Sequence, residues 1–449
     1  MSDSQSDVLI IGAGGAGLAA AAELADSGGK VLLLEARDRI GGRMWTQHVA
    51  GLAVPIEYGA EFIHGYAPAT MAYLAKGGKT AIESTDTHWR LHDGKLQATN
   101  AFFHEVQQAL RDSTVLAEKD LSFDDFLNQS EELSPAAREY AKMMAQGFDA
   151  ADTSRASARA IAAEWTAEMM NNDAPQSHPL GGYDALLATL SDSLRSDNIR
   201  VRLQTAIHEV RWSKGVVDVA GTFIGKPFHA SAARAIITLP LGVLQLPPNA
   251  PGAVRFSPQL TDKELALQGL ASGPVLKITL RFACPFWEEL DDGRYRDAAF
   301  FHSPQADFPT FWTQMPLRAP LLVAWAGGPR ALRVAHNADS GEVVGRAVAA
   351  LQTMFGKRCH IERELEAAYY HDWQQDPFAR GAYSYVTVGG GNARRELAAP
   401  IADTLFFAGE ATDTQGETAT VAGALQSGAR AARETLADQV KRRRKRRLA

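Results

Sequence analysis

Apolar positions along the chain change their period several times, and each change marks a different kind of element. Residues 7–11 form a short, nearly continuous apolar run ending at Gly12, the pattern of a parallel strand buried on both faces. Residues 14–27 are small and Ala-rich with a helical repeat that stops at Gly28-Gly29, and residues 31–34 are a second apolar run. Strand, helix and strand thus fit the span of one Rossmann-type unit. From 101 to 170 glycine is almost absent and the pattern predicts successive amphipathic helices, with Ser122, Ser134 and Ser154 as N-caps. Residues 199–237 alternate apolar and polar, predicting antiparallel strands with turns at Lys214-Gly215 and Gly221. Residues 275–282 and 404–407 read as further strands, and 421–437 as a closing helix. Without an internal repeat or a long low-complexity linker, these changes predict an α/β chain. A Rossmann-type domain interleaves with a second, α+β domain, and the chain crosses between them more than once.

Composition narrows the class. With 449 residues, 46% apolar and 22% charged, the chain can build one large or two ordinary cores, and disorder is excluded for most of it. The net charge of −6 conceals a split: seven consecutive basic residues occupy 441–447, leaving 39 Lys and Arg against 52 Asp and Glu, or −13, for the rest. The basic run reads as a disordered, self-repelling tail (441–449), the one segment suited to nucleic acid or an anionic surface. Only Cys284 and Cys359 occur, which excludes a disulfide scaffold and a four-cysteine zinc site, and no metal centre is expected. The first residues lack the basic and apolar regions of a secretory signal, and no apolar run is long enough to span a bilayer. A soluble, cytoplasmic protein is the expectation.

The first candidate site is local. Gly12-Ala13-Gly14-Gly15-Ala16-Gly17 matches G-x-G-x-x-G directly after a strand and at the start of a helix. Gly12 permits the tight turn, Gly14 lets the backbone approach a pyrophosphate, and Gly17 lets helix and strand pack closely, while the helix amino terminus attracts the anion. Glu35 ends the second strand, where a carboxylate accepts hydrogen bonds from ribose hydroxyls and repels a 2′-phosphate. This predicts a dinucleotide and leaves NAD and FAD open. The basic stretch 37–43, with Arg37, Arg39 and Arg43 around Gly41-Gly42, suits a second, longer cofactor, because guanidinium groups pair well with pyrophosphate; a solvated charged loop is the alternative.

Five separated blocks then carry a resemblance. They are Leu34-Glu35-Ala36-Arg37-Asp38-Arg39-Ile40-Gly41-Gly42-Arg43; Gly59-Ala60-Glu61-Phe62-Ile63-His64-Gly65; Thr238-Leu239-Pro240-Leu241-Gly242-Val243-Leu244; Leu276-Lys277; and Phe407-Ala408-Gly409-Glu410-Ala411-Thr412 with Gly423-Ala424 and Ser427-Gly428. In this order they resemble the flavin-containing amine oxidases, a family that includes monoamine oxidases, polyamine oxidases and flavin histone demethylases, and His64 in the second block is most similar to polyamine oxidases. The resemblance implies FAD in a GR2-like Rossmann-type domain built from 1–85, 195–273 and 370–440, with a substrate domain from 86–194 and 274–369. It implies cofactor contacts from Gly12, Gly14, Gly15, Gly17, Glu35, Ala36, Arg37, Gly42, Arg43, Gly59, Ala60 and Glu61. It adds Val210 at the adenine, Trp373 close to the ring, and Gly409, Glu410, Thr420 and Val421 near the ribityl chain and isoalloxazine.

For the chemistry, the resemblance points first to Lys277, which in this family holds a water against flavin N5. Among Val275, Leu276, Ile278 and Leu280 a lysine needs a partner or a lowered pKa, unless its strand lies at an edge and it faces solvent. Glu61 and His64, three apart between glycines, can face one cavity, the carboxylate toward a cationic amine and the imidazole orienting it; a surface glutamate and a satisfied histidine are the alternative. Tyr383 is implied as an aromatic wall beside the flavin, suited to guiding cations. Glu417, and Glu164 with Glu168 one turn apart, are further carboxylates able to hold a distal ammonium or to lie exposed. Two departures from monoamine oxidases matter. Ala382 stands where they carry the flavin-linking cysteine, implying noncovalent FAD, and Thr420 stands at their second cage tyrosine.

The expected reaction is FAD-dependent oxidation of a C–N bond in a primary or secondary amine, a polyamine or related amine. Hydride transfer to N5, imine hydrolysis and reduction of dioxygen to hydrogen peroxide complete it. An L-amino-acid oxidase or another flavin oxidase or desaturase on the same frame is the alternative; it needs an arginine for the substrate carboxylate, and Arg90, Arg159 and Arg318 cannot be placed from sequence. A chromatin-binding role is disfavoured because no extra helical domain or coiled-coil insertion is visible.

Overall fold

A computed structural model of the chain describes residues 6–98, 102–170, 176–356, 359 and 361–448. Two large sheets organise it. The first has eight strands; at its centre the apolar runs Ser6–Ile11 and Val31–Leu34 pair in parallel, flanked by Ile199–Arg202 on one side and Lys226–Ile237 on the other. The second half of that long strand also pairs in parallel with Leu405–Phe407, and its first half continues an antiparallel meander with Val216–Phe223 and Thr205–Ser213. Three distant chain segments therefore build one sheet.

Helix Gly15–Leu24 covers one face of this sheet, where Leu18, Ala19 and Leu24 pack with Ile10, Leu33 and Phe406. On the other face Ile207, Val210, Val217 and Val219 of the meander pack with Leu9, Ile11, Leu32 and Leu34. Residues 183–194, expected in the second domain, belong to the first core instead: Tyr183, Leu186, Leu187 and Leu190 of the segment around helix Asp184–Ser193 pack with Leu18, Leu33 and Leu74. Their apolar face needs a partner, and the nucleotide-side sheet supplies it.

The second sheet has seven strands in the order Leu365–Tyr370, Val275–Phe282, Leu321–Gly327, Thr310–Trp312, Phe300–His302, His88–His92, Lys95–Ala98. Val275–Phe282 lies between two antiparallel neighbours, so Lys277 is not on an edge strand. Helix Ser340–Phe355 covers the face opposite Lys277, where Val343, Ala347 and Leu351 pack with Ile278, Leu280 and Ala324.

Three local expectations change. Ser122 and Ser134 do cap helices Phe123–Gln129 and Pro135–Gly147. Ser154 does not; its hydroxyl bonds Asp152 in a turn, and Ser157 accepts from the amide of Ala160 at the start of the next helix. Gly221 lies inside a strand rather than at a turn, because a Cβ there would sit 2.2 Å from the carbonyl oxygen of Ala206, beside a bulge between Ile207 and Glu209; the turn falls at 224–225. The last helix, Val421–Leu448, runs through the segment expected to be disordered. Lys and Arg are good helix formers, and cations suit the carboxyl end of a helix dipole, so propagation continues into the basic run. No helix among the described residues is long and apolar enough to cross a membrane.

Candidate active site

The residues that follow four parallel strands of the first sheet, Gly12, Glu35, Thr238 and Gly409, all line one cavity of about 1270 Å³. Ligands of open α/β sheets bind beyond the carboxyl ends of the strands. The volume exceeds the ~300–1,000 Å³ of an ordinary small-molecule pocket, leaving room for a dinucleotide and a substrate together.

The nucleotide end fits such a cofactor. Gly12 adopts φ +106°, and a Cβ there would lie 2.5 Å from Thr238 Oγ1. Gly14 precedes helix Gly15–Leu24 with no side-chain cap, so the amides of the first turn face the cavity, and Gly42, at φ +60°, lies so close that its Cβ would meet Gly14 Cα at 3.2 Å. Glu35 is fixed by the amides of Ala13 (2.8 Å) and Arg37 (2.9 Å), which leaves it further lone pairs for ribose hydroxyls. Ala36, Arg37, Arg43, Gly59, Ala60, Glu410, Thr420 and Val421 complete the expected lining, with Gly15. Both arginines are already engaged, Arg37 with Asp376 at 2.7 Å and Arg43 with Glu410 at 3.2 Å and the carbonyl of Ala382, so only part of each guanidinium fork is left for a phosphate. Burial opposes ionisation of Asp376, but hydrogen bonds from His371 and Arg37 outweigh it and hold its carboxyl well below the usual range.

Three expected residues lie off the lining. Gly17 serves packing only, a Cβ there meeting the carbonyl of Gly12 at 1.9 Å. Val210 is buried in the core between meander and sheet, and Thr205, Ala206 and Ile207 line the cavity in its place. Glu417 directly precedes the lining residues Thr418, Ala419, Thr420 and Val421 without being one of them, and burial and the neighbouring Asp413 raise its pKa.

At the substrate end, two residues read separately from the sequence meet. Lys277 is 5% exposed and Glu61 7%, and their charged groups are 2.6 Å apart. Lys277 Nζ also donates to the carbonyl of Gly59 at 2.9 Å, while Glu61 accepts from Trp312 Nε1 and Gln314 Nε2, both at 2.9 Å. Burial alone would raise the Glu61 pKa; Lys277, His178 and these donors reverse the effect and lower it. Glu61 is therefore the counter-charge of Lys277 and not a free carboxylate awaiting an ammonium. His64 lines the same cavity, edge-on to Phe148 at 5.2 Å, and burial beside His178 lowers its pKa to about 4, so it is neutral near pH 7. Trp373 is fixed by a 2.8 Å bond from its Nε1 to the carbonyl of Tyr58. Tyr383 donates its phenol to the carbonyl of Phe148 at 2.6 Å, and burial raises its pKa far above the ordinary value, which leaves it an aromatic wall and no proton donor.

Sequence reading missed several lining groups. Trp312, Trp325 and His302 come from short strands whose pairing is wholly tertiary, and Asp149 follows a helix end. Glu164 does line the cavity, with its pKa raised by burial; the side chain of Glu168 lies outside the described residues. Among the described residues the lining holds seven carboxylates against Arg37, Arg43 and Lys277, so a cation is favoured inside. Arg90, Arg159 and Arg318 are absent from the lining, and no group of three or more possible metal ligands occurs among the described residues.

The sequence pattern of the family described as flavin containing amine oxidoreductase matches residues 16–436. The chain belongs to this family. Among the relatives of this chain, human lysine-specific histone demethylase 2 is 28% identical over 95% of this chain and 53% of its own. Polyamine oxidase 3 of Oryza sativa subsp. japonica is 28% identical over 95% and 88%. The chain spans about half the length of the demethylases it matches. Its fold matches a putrescine oxidase bound to putrescine, with TM-score 0.79 and 21% identity over 96% of this chain and 99% of that one. Cyclohexylamine oxidase from Brevibacterium oxydans matches at TM-score 0.79 and 20% identity over 97% and 99%.

Proposed function

We propose that this amine oxidoreductase binds FAD noncovalently and oxidises a C–N bond of a primary or secondary amine, with a diamine or polyamine as the preferred class and dioxygen as the acceptor. The observation that carries the reading is the buried Lys277–Glu61 pair set in the same cavity as the glycine turn and Glu35. Bound flavin would supply the two-electron acceptor for hydride leaving the carbon next to nitrogen. Water then hydrolyses the imine to a carbonyl compound and either ammonia, from a primary amine, or a shorter amine, from a secondary one, and dioxygen takes the electrons to give hydrogen peroxide.

The chain's own groups have separable tasks. Lys277 spends two of its three donors on Glu61 and Gly59, and the third is free to hold a water in the cavity. Neutral His64 accepts a hydrogen bond from an amine without repelling its charge. Tyr383 and Trp373 flank the cavity with aromatic surface. Asp149 and Glu164 line the cavity as carboxylates able to hold a distal ammonium, a task not open to Glu61, which is neutralised by Lys277. Neither Cys284 nor Cys359 lines the cavity, which supports noncovalent binding, and two free thiols suit a reducing, cytoplasmic setting. The amino-acid oxidase alternative is disfavoured because the only lining arginines among the described residues, Arg37 and Arg43, are held by Asp376 and Glu410.

Acid precipitation followed by a peroxide assay tests this reading. Free FAD in the supernatant, and peroxide formed with putrescine, spermidine or spermine, are expected. Flavin that stays with the precipitate, or peroxide formed with α-amino acids and no amine, overturns it.

A further inference from the structure

The cavity face of the seven-stranded sheet carries a row of facing residues that leads away from the Lys277 centre: Lys277 opposite Trp325, Trp325 opposite Thr310, Thr310 opposite His302, and His302 opposite Arg90. Along its outer part a chain of polar contacts runs toward solvent. His302 Nδ1 is 3.4 Å from Thr310 Oγ1, His302 Nε2 is 2.8 Å from His88 Nδ1, and His88 Nε2 is 2.7 Å from Asp86 Oδ1. The two imidazole planes are within 8° of parallel with centroids 5.1 Å apart, so the 2.8 Å contact joins them edge to edge, and Phe300 stacks on His88 at 4.6 Å and fixes that ring. Thr310, His302, His88 and Asp86 all line the cavity that contains Lys277. His302 is 4% exposed, whereas the Asp86 side chain is 91% exposed. One end of the chain is therefore inside and the other is in water.

Resting on the amine-oxidising reading, we propose that Thr310, His302, His88 and Asp86 form a relay that carries the proton of an incoming ammonium from the cavity to solvent. Amines enter mostly as ammonium ions, but only the free base reacts, so one proton must leave before the C–H bond breaks. With both imidazoles neutral and Asp86 ionised, the contacts are satisfied by one set of donors: Thr310 Oγ–H to His302 Nδ1, His302 Nε2–H to His88 Nδ1, and His88 Nε2–H to Asp86. The substrate N–H bond breaks as Thr310 Oγ takes that proton and passes its own to His302 Nδ1. His302 Nε2 then gives its proton to His88 Nδ1, and His88 Nε2 gives its proton to Asp86, which releases it to water. No electrons move, and one proton enters the chain for each that leaves it.

The surroundings suit passage rather than storage. Burial, His88 and Arg90 lower the pKa of His302 to about 3, so it does not hold charge near pH 7. Among the described residues, Arg90 on the same strand as His88 acts on His302, and Tyr140 and Glu139 on helix Pro135–Gly147 lie against Arg90. Arg90 lies 3.5 Å from Glu139 and over the Tyr140 ring, which ties down its charge.

The test is anaerobic flavin reduction by putrescine across pH in the holoenzyme, comparing wild type with Thr310→Val and His88→Ala, with and without added imidazole. Below the pKa of the amine the relay predicts variants about 10²-fold slower than wild type, with imidazole restoring His88→Ala. Above that pKa the substrate enters as free base and all three proteins react alike. Parallel pH profiles, or a slow His88→Ala that imidazole does not rescue, overturn the relay while leaving amine oxidation standing. A wild type that no amine reduces removes the underlying reading and the relay with it. Nitrogen NMR of wild type gives a readout independent of turnover: protons on Nε2 of both histidines are expected, and an Nδ1 proton on His302 at rest overturns the direction.

Discussion

Replacing Lys277 by Met should convert a compensated buried pair into a buried lone charge. Lys277 and Glu61 are 5% and 7% exposed and 2.6 Å apart, so solvent screening is slight. Removing one partner of such a pair costs about 3–5 kcal/mol, because the other is left ionised in a poorly polarisable site. Glu61 keeps the Trp312 and Gln314 donors, which places the expected loss near the lower limit, about 3 kcal/mol. The pH dependence should also reverse. In wild type the Glu61 pKa is lowered, so its contribution is present above the ordinary carboxylate range and is lost as pH falls. In Lys277→Met burial dominates and raises that pKa, so stability is present at low pH and is lost as pH rises through the new value. Denaturant unfolding of the flavin-loaded proteins at about pH 5 and about pH 8 should show the deficit widening toward the higher pH. Adding Glu61→Gln should recover about 2 kcal/mol or more of the loss, a coupling expected only for direct partners. Equal stability of the single and double variants, with a deficit independent of pH, would refute the pairing as the reason both residues are buried.

Three other perturbations separate parts of the account. Burial raises the Glu57 pKa to about 8, against amide and hydroxyl bonds from Tyr183 and Thr46, so its stabilising protonated form is lost as pH rises through that value; Glu57→Gln should be more stable than wild type above it by roughly 3 kcal/mol in unfolding titrations. Asp149→Asn and Glu164→Gln should each raise KM for putrescine about tenfold or more while changing kinetics with a monoamine little, as measured by initial rates. Deleting 441–449 should leave kcat unchanged, and kcat/KM for a polyamine should fall with added salt in both forms, because the −13 charge resides in the body.

What was legible in the chain follows from the range of the interactions involved. The glycine turn, Glu35 and the parallel strands are set within one short βαβ unit, so spacing alone places Gly12, Gly14 and Glu35 on the cavity. The interleaving was visible as changes of period, although helix Asp184–Ser193 was assigned to the wrong side because its apolar face does not reveal which sheet it covers. Val210, placed at the adenine by the resemblance, turns into the core between meander and sheet, and Thr205, Ala206 and Ile207 earlier on its strand line the cavity. Lys277 and Glu61 were each singled out, yet their union was hidden: 216 positions separate them, and only the pairing of the second sheet and the turn after Gly59 brings them together. Likewise the Thr310–His302–His88 chain arises from the register of three short strands, which no local pattern reports.

The most direct test of amine oxidation at this cavity is anaerobic mixing of the yellow holoenzyme with putrescine, spermidine, spermine, cyclohexylamine and α-amino acids, one at a time. The account predicts that at least one diamine or polyamine bleaches the flavin, at a rate that rises with pH as the amine loses its proton, and that Lys277→Met slows the bleaching. Flavin that stays oxidised with every amine, or that is bleached only by an α-amino acid, would contradict it.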